Sequence, residues 1–216
     1  MNAPVPRNEK QRLKVLWQYE VLDTVPEAVF DDLTELAARI CGAPIALISL
    51  VDEKRQWFKS RVGLTRSETA RGISFCAHAI LQPDLFVVPD ATRDARFAGS
   101  PLVTADPKIR FYAGAPLVTP DGHALGTLCV LDQVPRDLNA DQRQALRVLA
   151  RHVMTQLELR RHARELAAAR QAGDTTLEQL AATRAELATA RRELARVKGR
   201  ERGRPVHRCA ARKRSR

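Results

Sequence analysis

The sequence predicts an α+β domain built on a central antiparallel sheet and followed by a long helix. Three observations carry that prediction. The first is residues 110–132, RFYAGAPLVTPDGHALGTLCVLD. Two apolar segments, Phe111–Val118 and Ala124–Leu131, flank Pro120-Asp121-Gly122. That tripeptide combines a preset φ, a side chain that bonds its own backbone and a residue free to take positive φ, which together make a turn. Uncharged strands are usually covered on both faces, which puts this hairpin at the centre of the sheet. The second observation is a pair of amphipathic stretches ahead of the strands, and the third is a leucine repeat behind them.

Residues 1–8 are a flexible, polar lead-in containing prolines. From Glu9 a helical period sets Leu13, Leu16, Trp17 and Val21 on one side. Asp23-Thr24-Val25-Pro26 breaks it, and Pro26 with Glu27 suits the first turn of a second helix. Val29, Phe30, Leu33, Leu36, Ala37 and Ile40 are spaced there as one buried stripe, and Gly42 ends the helix. Ile45–Val51 and Gln56–Val62 read as strands joined by the charged Asp52–Arg55 turn. Gly63–Gly72 reads as a polar loop, Ser74 as the cap of a short helix reaching about Leu81, and Phe86–Val88 as a short strand closed by Pro89-Asp90. Asp94–Pro107, with two prolines and a glycine, is a loop long enough to act as a lid.

Asn139 or Asp141 caps a helix that outruns the domain. Leu146, Leu149, Val153 and Leu157 form a stripe for packing on the sheet. Beyond them Leu159, Leu166, Leu180, Leu187 and Leu194 repeat every seven residues, with Gly173 at the missing position. In Ala-, Arg- and Glu-rich sequence that period predicts a coiled coil and therefore a homodimer. The stripe formed by Leu13, Leu16, Trp17, Leu149 and Val153 is expected to extend the same contact. Gly173-Asp174 predicts a break, since glycine costs about 1 kcal/mol against alanine inside a helix. The organisation expected is a lead-in over 1–8, a domain over 9–157, a coiled coil over 158–198 broken near 173, and a disordered basic tail over 199–216.

The chain has 36 Lys and Arg against 25 Asp and Glu, a net charge of +11. Nine of the basic residues, with only Glu201 opposing them, lie in Lys198–Arg216. The tail alone therefore calls for an electrostatic reading: weak polyanion binding. It lacks interleaved aromatics for stacking on bases. Four cysteines (41, 76, 129 and 209) show no C-x-x-C spacing and read as reduced thiols of a cytoplasmic protein. No apolar run approaches the roughly 20 residues of a membrane span. The glycines fit neither the G-x-x-x-x-G-K nor the G-x-G-x-x-G phosphate loop.

The hairpin, together with IALISLVD (45–52), QWFKS (56–60) and SFCAHAI (74–80), resembles the GAF domain, a sensing module of bacterial signalling proteins. The resemblance spans roughly Arg12 to Leu157, in the family's order, and is of the type found in front of histidine kinases and diguanylate cyclases. It implies a GAF-like domain with a five- or six-stranded antiparallel sheet flanked by helices. It also implies a small-ligand pocket over one face of that sheet, walled by Phe75, His78, Phe97, Arg110, Tyr112 and Thr127. The aromatic rings would offer faces while Arg110, His78 and Thr127 fix a polar group. The resemblance names neither the ligand nor a cofactor. The expected role is non-catalytic, with a ligand or redox cue relayed through dimeric helices to a signalling partner.

Cys76-Ala77-His78 invites a catalytic reading, but residues two apart on a helix point about 200° away from each other. Bilin-carrying relatives commonly place histidine directly after the attachment cysteine, and here Ala77 intervenes. The Asn-Lys-x-Asp-Glu pattern of cyclic-nucleotide-binding relatives is absent. Asp90 and Asp94 read as turn caps with Arg93 and Arg96 as partners. Two alternatives remain: a thiol reductase of the free-methionine-sulfoxide-reductase type using Cys76 and Cys129, and nucleic-acid association through the tail. No charges in sequence flank either thiol to lower its pKa, which weighs against the reductase.

Overall fold

The computed structural model describes residues 3–202 and divides into two units, 1–163 and 164–216. The first unit opens with α1 (Glu9–Gln18) and α2 (Ala28–Cys41). Strands β1 (Ile45–Val51), β2 (Arg55–Val62) and β3 (Glu68–Ala70) follow, then a single 3-10 turn at Arg71–Ile73 and the short α3 (Phe75–Ala79). Next come β4 (Phe86–Val88), α4 (Pro101–Thr104), and the hairpin β5 (Phe111–Val118) and β6 (Ala124–Asp132). Helix α5 (Ala140–Arg202) completes the described chain.

The strands form one sheet in the order β3-β2-β1-β6-β5-β4, with every pair antiparallel. β6 lies inside it, bonded to β1 and β5, as its uncharged sequence predicts. Pro116 is tolerated in β5 because β4 pairs only as far as Gly114, leaving that side of the strand without a ladder to break. Alternation along the strands divides the core in two. Ala46, Ile48 and Leu50 face a helical layer of α1, α2 and the start of α5, while Leu47, Val51, Cys129 and Leu131 face α3, α4 and their loops.

Local signals fall where elements end. The Gly42 backbone at φ +58° closes α2, and Gly122 at φ +81° completes the hairpin turn with its N–H on Thr119 O. Asn139 Oδ1 accepts from Gln142 N while Gln142 Oε1 accepts from Asn139 N, a reciprocal box that starts α5.

Several expectations are corrected. The α2 stripe is not single: Phe30, Thr34, Ala37, Ala38 and Cys41 are buried, whereas Val29, Leu36 and Ile40 are 38%, 44% and 39% exposed. The buried set repeats at i, i+4, i+7, i+8 and i+11, the row that meets the sheet, and the others lie on the far side. Trp17 is half-exposed and donates its indole N–H to Asp52 Oδ1 at 3.1 Å. Leu13, Leu16, Leu149 and Val153 are consumed in the domain core, so they offer no surface to a second copy. Gly63–Gly72 is not all loop, because Glu68–Ala70 pairs with Arg55–Trp57 as β3. α4 likewise interrupts the Asp94–Pro107 loop, its first N–H groups capped by Ser100.

Within the second unit the described chain is helical through Gly173-Asp174, where a break is predicted. A cost of about 1 kcal/mol is borne by a helix that propagates one bond per residue. Thr175 and Thr176 also bond back to Gln171 O and Ala172 O across the site. Leu166, Leu180, Leu187 and Leu194 are all more than half exposed. Residues 203–216, most of the predicted disordered tail, lie outside the described residues. Among the described residues no helix is long and apolar enough to cross a membrane.

Candidate functional site

The face of the sheet beneath α3 carries an unusual content for a core. In register, Ser49 of β1 lies opposite Thr127 of β6, Leu47 opposite Cys129, Gly114 of β5 opposite Cys129, and Tyr112 opposite Leu131. Side chains on paired positions share a face, so a serine, a threonine, a cysteine and a tyrosine converge. Ser74 accepts a hydrogen bond from Ala77 N and so starts α3 above them. Ser74 is itself held by the buried Gln56 side chain.

Cys76 on α3 thereby points down at the sheet, with its sulfur 3.8 Å from that of Cys129. The Tyr112 hydroxyl lies 3.3 Å from Cys76 Sγ and 3.4 Å from Thr127 Oγ1. Gly114 makes room for it, since a β-carbon there would sit 2.2 Å from the Tyr112 oxygen. Ser49 Oγ is fully buried on the same face without a hydrogen-bond partner. Five buried polar side chains therefore surround one point.

Electrostatics distinguish the two thiols. Burial raises the Cys76 thiol, but hydrogen bonding, first from Cys129 and then from Thr127 and Tyr112, outweighs it and lowers its pKa. Burial, then Cys76 itself, pushes Cys129 well above its usual range. A charge on one sulfur therefore disfavours a charge on the other. The sequence shows no flanking charge at either thiol, and the groups that act on Cys76 are brought to it by the fold.

Of the six residues expected to wall a pocket, the structure gathers five. Phe75 stacks on Phe97 at 4.2 Å between ring centroids and on Tyr112 at 5.2 Å. His78 meets Phe97 edge-on at 4.8 Å, and Thr127 sits below Tyr112. Arg110 is turned elsewhere: its Nη1 donates to the carbonyls of Val103, Lys108 and Ile109, bracing the segment that leads into β5. Arg110→Ala is accordingly expected to loosen residues 103–109. Hydrogen exchange there should accelerate, with a global loss of about 1–2 kcal/mol in denaturant unfolding. Unchanged exchange across the segment would refute the bracing role.

Two small cavities flank the ring stack. An inner one of about 30 Å3 is lined by Phe75, Cys76, Tyr112 and Leu131, and an outer one of about 50 Å3 by His78, Arg96, Phe97 and Ser100. Phe97 on Phe75 therefore stands between them. Arg96, which the sequence marks only as a partner for Asp94, pairs with that carboxylate at 2.5 Å and covers the rings of Phe86 and Phe97. Burial and then Arg96 hold the His78 pKa below its usual value, against the opposing pull of Asp94, so the imidazole favours its neutral form. Cys76 and His78 serve different centres, as their spacing on α3 requires. Asp90 caps its own turn through Thr92. Among the described residues no cluster of three or more His, Cys, Asp or Glu is arranged to hold a metal ion.

The molecule thus presents a six-stranded antiparallel sheet with helices on both faces and a short helix set over a buried polar cluster. The chain belongs to the GAF domain family, whose model matches residues 25–157. It is 44% identical over 155 residues to a Pseudomonas aeruginosa protein named a cyclic di-GMP phosphodiesterase; the match takes in 71% of this chain but 26% of that protein. Solved structures agree on the fold. The GAF domain of an Acinetobacter phosphoenolpyruvate-protein phosphotransferase superposes with a TM-score of 0.52 at 16% identity, over 71% of this chain and 95% of that one. The blue-light-absorbing PixJ GAF domain of Thermosynechococcus elongatus gives 0.54 at 16% identity, over 77% and 96%.

Proposed function

We propose that this GAF domain is a non-catalytic input module that responds to a small ligand or to redox state and relays the change through paired α5 helices to a signalling partner. The observation that carries the reading is the change of surface along α5. Leu146, Val153 and Leu157 are buried against the sheet, whereas the leucines repeating at seven residues stand in solvent. Burying that seam against a second copy recovers about 25 cal/mol per Å2 of apolar area. A parallel homodimer is the simplest closed arrangement, since both chains then present the same seam in register.

The input side is closed. Cavities of about 30 and 50 Å3 fall far below the several hundred Å3 of a drug-sized ligand's pocket. A ligand walled by Phe75, His78, Phe97, Tyr112 and Thr127 has to part the Phe75–Phe97 stack, which moves the lid that carries Phe97. Arg110 resists that motion through its three carbonyl bonds. A ligand shifts the balance only by its different affinities for the two forms. The likeness to a cyclic di-GMP phosphodiesterase supports cyclic dinucleotide signalling in the cytoplasm as the setting, with an enzyme of that class as the partner. The close Cys76–Cys129 pair favours a second reading, a small thiol reductase. Turnover of free methionine sulfoxide with dithiothreitol would select it over the sensor.

Sedimentation equilibrium tests the relay. The chain is expected to be dimeric at micromolar concentration. Leu180→Asp with Leu187→Asp should weaken association at least tenfold by placing unpaired carboxylates in an apolar seam. A chain that stays monomeric, or a double variant that associates as well as the parent, would overturn the coiled-coil relay.

A further inference from the structure

We propose that Cys76 and Cys129 form an oxidisable dithiol site, closing to a disulfide when a small hydroperoxide enters the inner cavity beside them. The inference deepens the sensory reading by assigning its redox cue to a defined pair, although bond formation itself is independent of any relay. The sulfurs lie 3.8 Å apart and lack only a closing movement of roughly 2 Å to reach bonding distance. Cys76 lines the inner cavity, which is large enough for a water-sized molecule. Tyr112 and Thr127 stand where they stabilise a thiolate on Cys76.

A pair of thiols serving only as apolar filler would need none of these hydroxyls. Gly114 gives up its side-chain space to the one on Tyr112. Cys41 supplies the internal contrast. It is equally buried, but there burial pushes the pKa up to about 11, with Arg136 only partly opposing. Buried position alone does not produce the Cys76 environment.

The chemistry balances without a metal or a cofactor. The Cys76 thiolate attacks one hydroperoxide oxygen; the S–O bond forms, the O–O bond breaks, and the departing alkoxide takes a proton to leave as the alcohol. Cys129 then attacks the sulfenyl sulfur of Cys76. The S–S bond forms, the S–O bond breaks, and hydroxide leaves with the Cys129 proton as water. Two thiols are oxidised by two electrons and one hydroperoxide is reduced to alcohol and water. Closing the bond draws α3 toward β6 and disturbs the stack of Phe75 on Phe97 and Tyr112, which couples the cue to the lid.

The test uses the full chain, treated with hydrogen peroxide, unfolded and alkylated. Two of its four cysteines should become unavailable to the alkylating reagent. A linked peptide pair containing Cys76 and Cys129 should appear, and dithiothreitol should abolish it. Cys41→Ala should leave the link intact, whereas Cys76→Ser and Cys129→Ser should each lose it. Mapping the parent protein settles the matter even where a serine variant folds poorly. Recovery of Cys76 and Cys129 fully alkylated after peroxide would overturn the site, as would oxidation that stops on Cys76 with Cys129 still a free thiol. If the link forms while dimerisation and lid exchange stay unchanged, the site stands and its role as the sensor's cue fails.

Discussion

Gly126→Val is expected to cost the domain about 3 kcal/mol or more, a large share of the stability of a protein this size. A β-carbon at Gly126 would sit 1.8 Å from Ser49 O and 2.9 Å from Leu50 Cα. Those are backbone atoms of β1, the neighbouring central strand, and Leu50 is the residue opposite Gly126 in register. No rotamer relieves such a clash, so β1 and β6 must separate and break their ladder. Gly126→Ala introduces the same atom and should show most of the loss, which separates the backbone contact from mere side-chain bulk. Thermal and denaturant unfolding measure both variants. An unchanged transition in either would show that β1 does not approach β6 so closely.

That close approach also shows what the sequence made legible. An uncharged strand containing one glycine, flanked by a turn, is enough to read β6 as central. The α5 start was legible because its cap and the Gln three residues on are local. β3 was not, since Glu68-Thr69-Ala70 has no apolar pattern and is held by backbone bonds to β2 and the Glu68–Arg55 ion pair. The α2 stripe was overread because hydrophobicity does not say which apolar face meets the sheet. Thr34, which bonds Phe30 O within the helix, lies on the buried face, while Leu36 and Ile40 lie on the exposed one.

The site divides similarly. The aromatic set came from family likeness and is found together, but the direction of Arg110 depends on where the lid carbonyls fall, which no spacing encodes. The nearness of Cys76 and Cys129 arises from the Ser74 cap on one side and the β1–β6 register on the other, 53 residues apart along the chain. One signal was present: Ser49 and Thr127 are isolated polar residues in apolar strands. Their pairing opposite each other is visible only once the register is known.

Glu9→Gln is the second substitution with a large expected effect. Glu9 Oε1 accepts from Arg12 Nη2 at 2.7 Å and from Arg71 Nη1 at 2.6 Å, and Oε2 accepts from Arg12 Nε at 2.8 Å. Both guanidiniums are buried, Arg12 at 1% and Arg71 at 7% exposure, and Arg12 also donates to Val51 O at 2.7 Å, tying α1 to the end of β1. Removing the carboxylate leaves two buried cations without their counter-charge, a change that costs about 3 kcal/mol in comparable settings. Burial raises the Glu9 pKa, but Arg12 and Arg71 outweigh it and bring it from 4.5 down to about 2. Because the folded-state value is the depressed one, the stability it contributes is complete above pH 4.5 and is lost as pH falls toward 2. The difference between parent and Glu9→Gln should therefore be full at pH 7 and shrink steadily below pH 4.5. Comparing the two proteins cancels the titration of every other carboxylate. Denaturant unfolding at pH 7, 4 and 3 checks the sign: a gap that stays constant across that range would mean that Glu9 holds α1 by shape and not by charge.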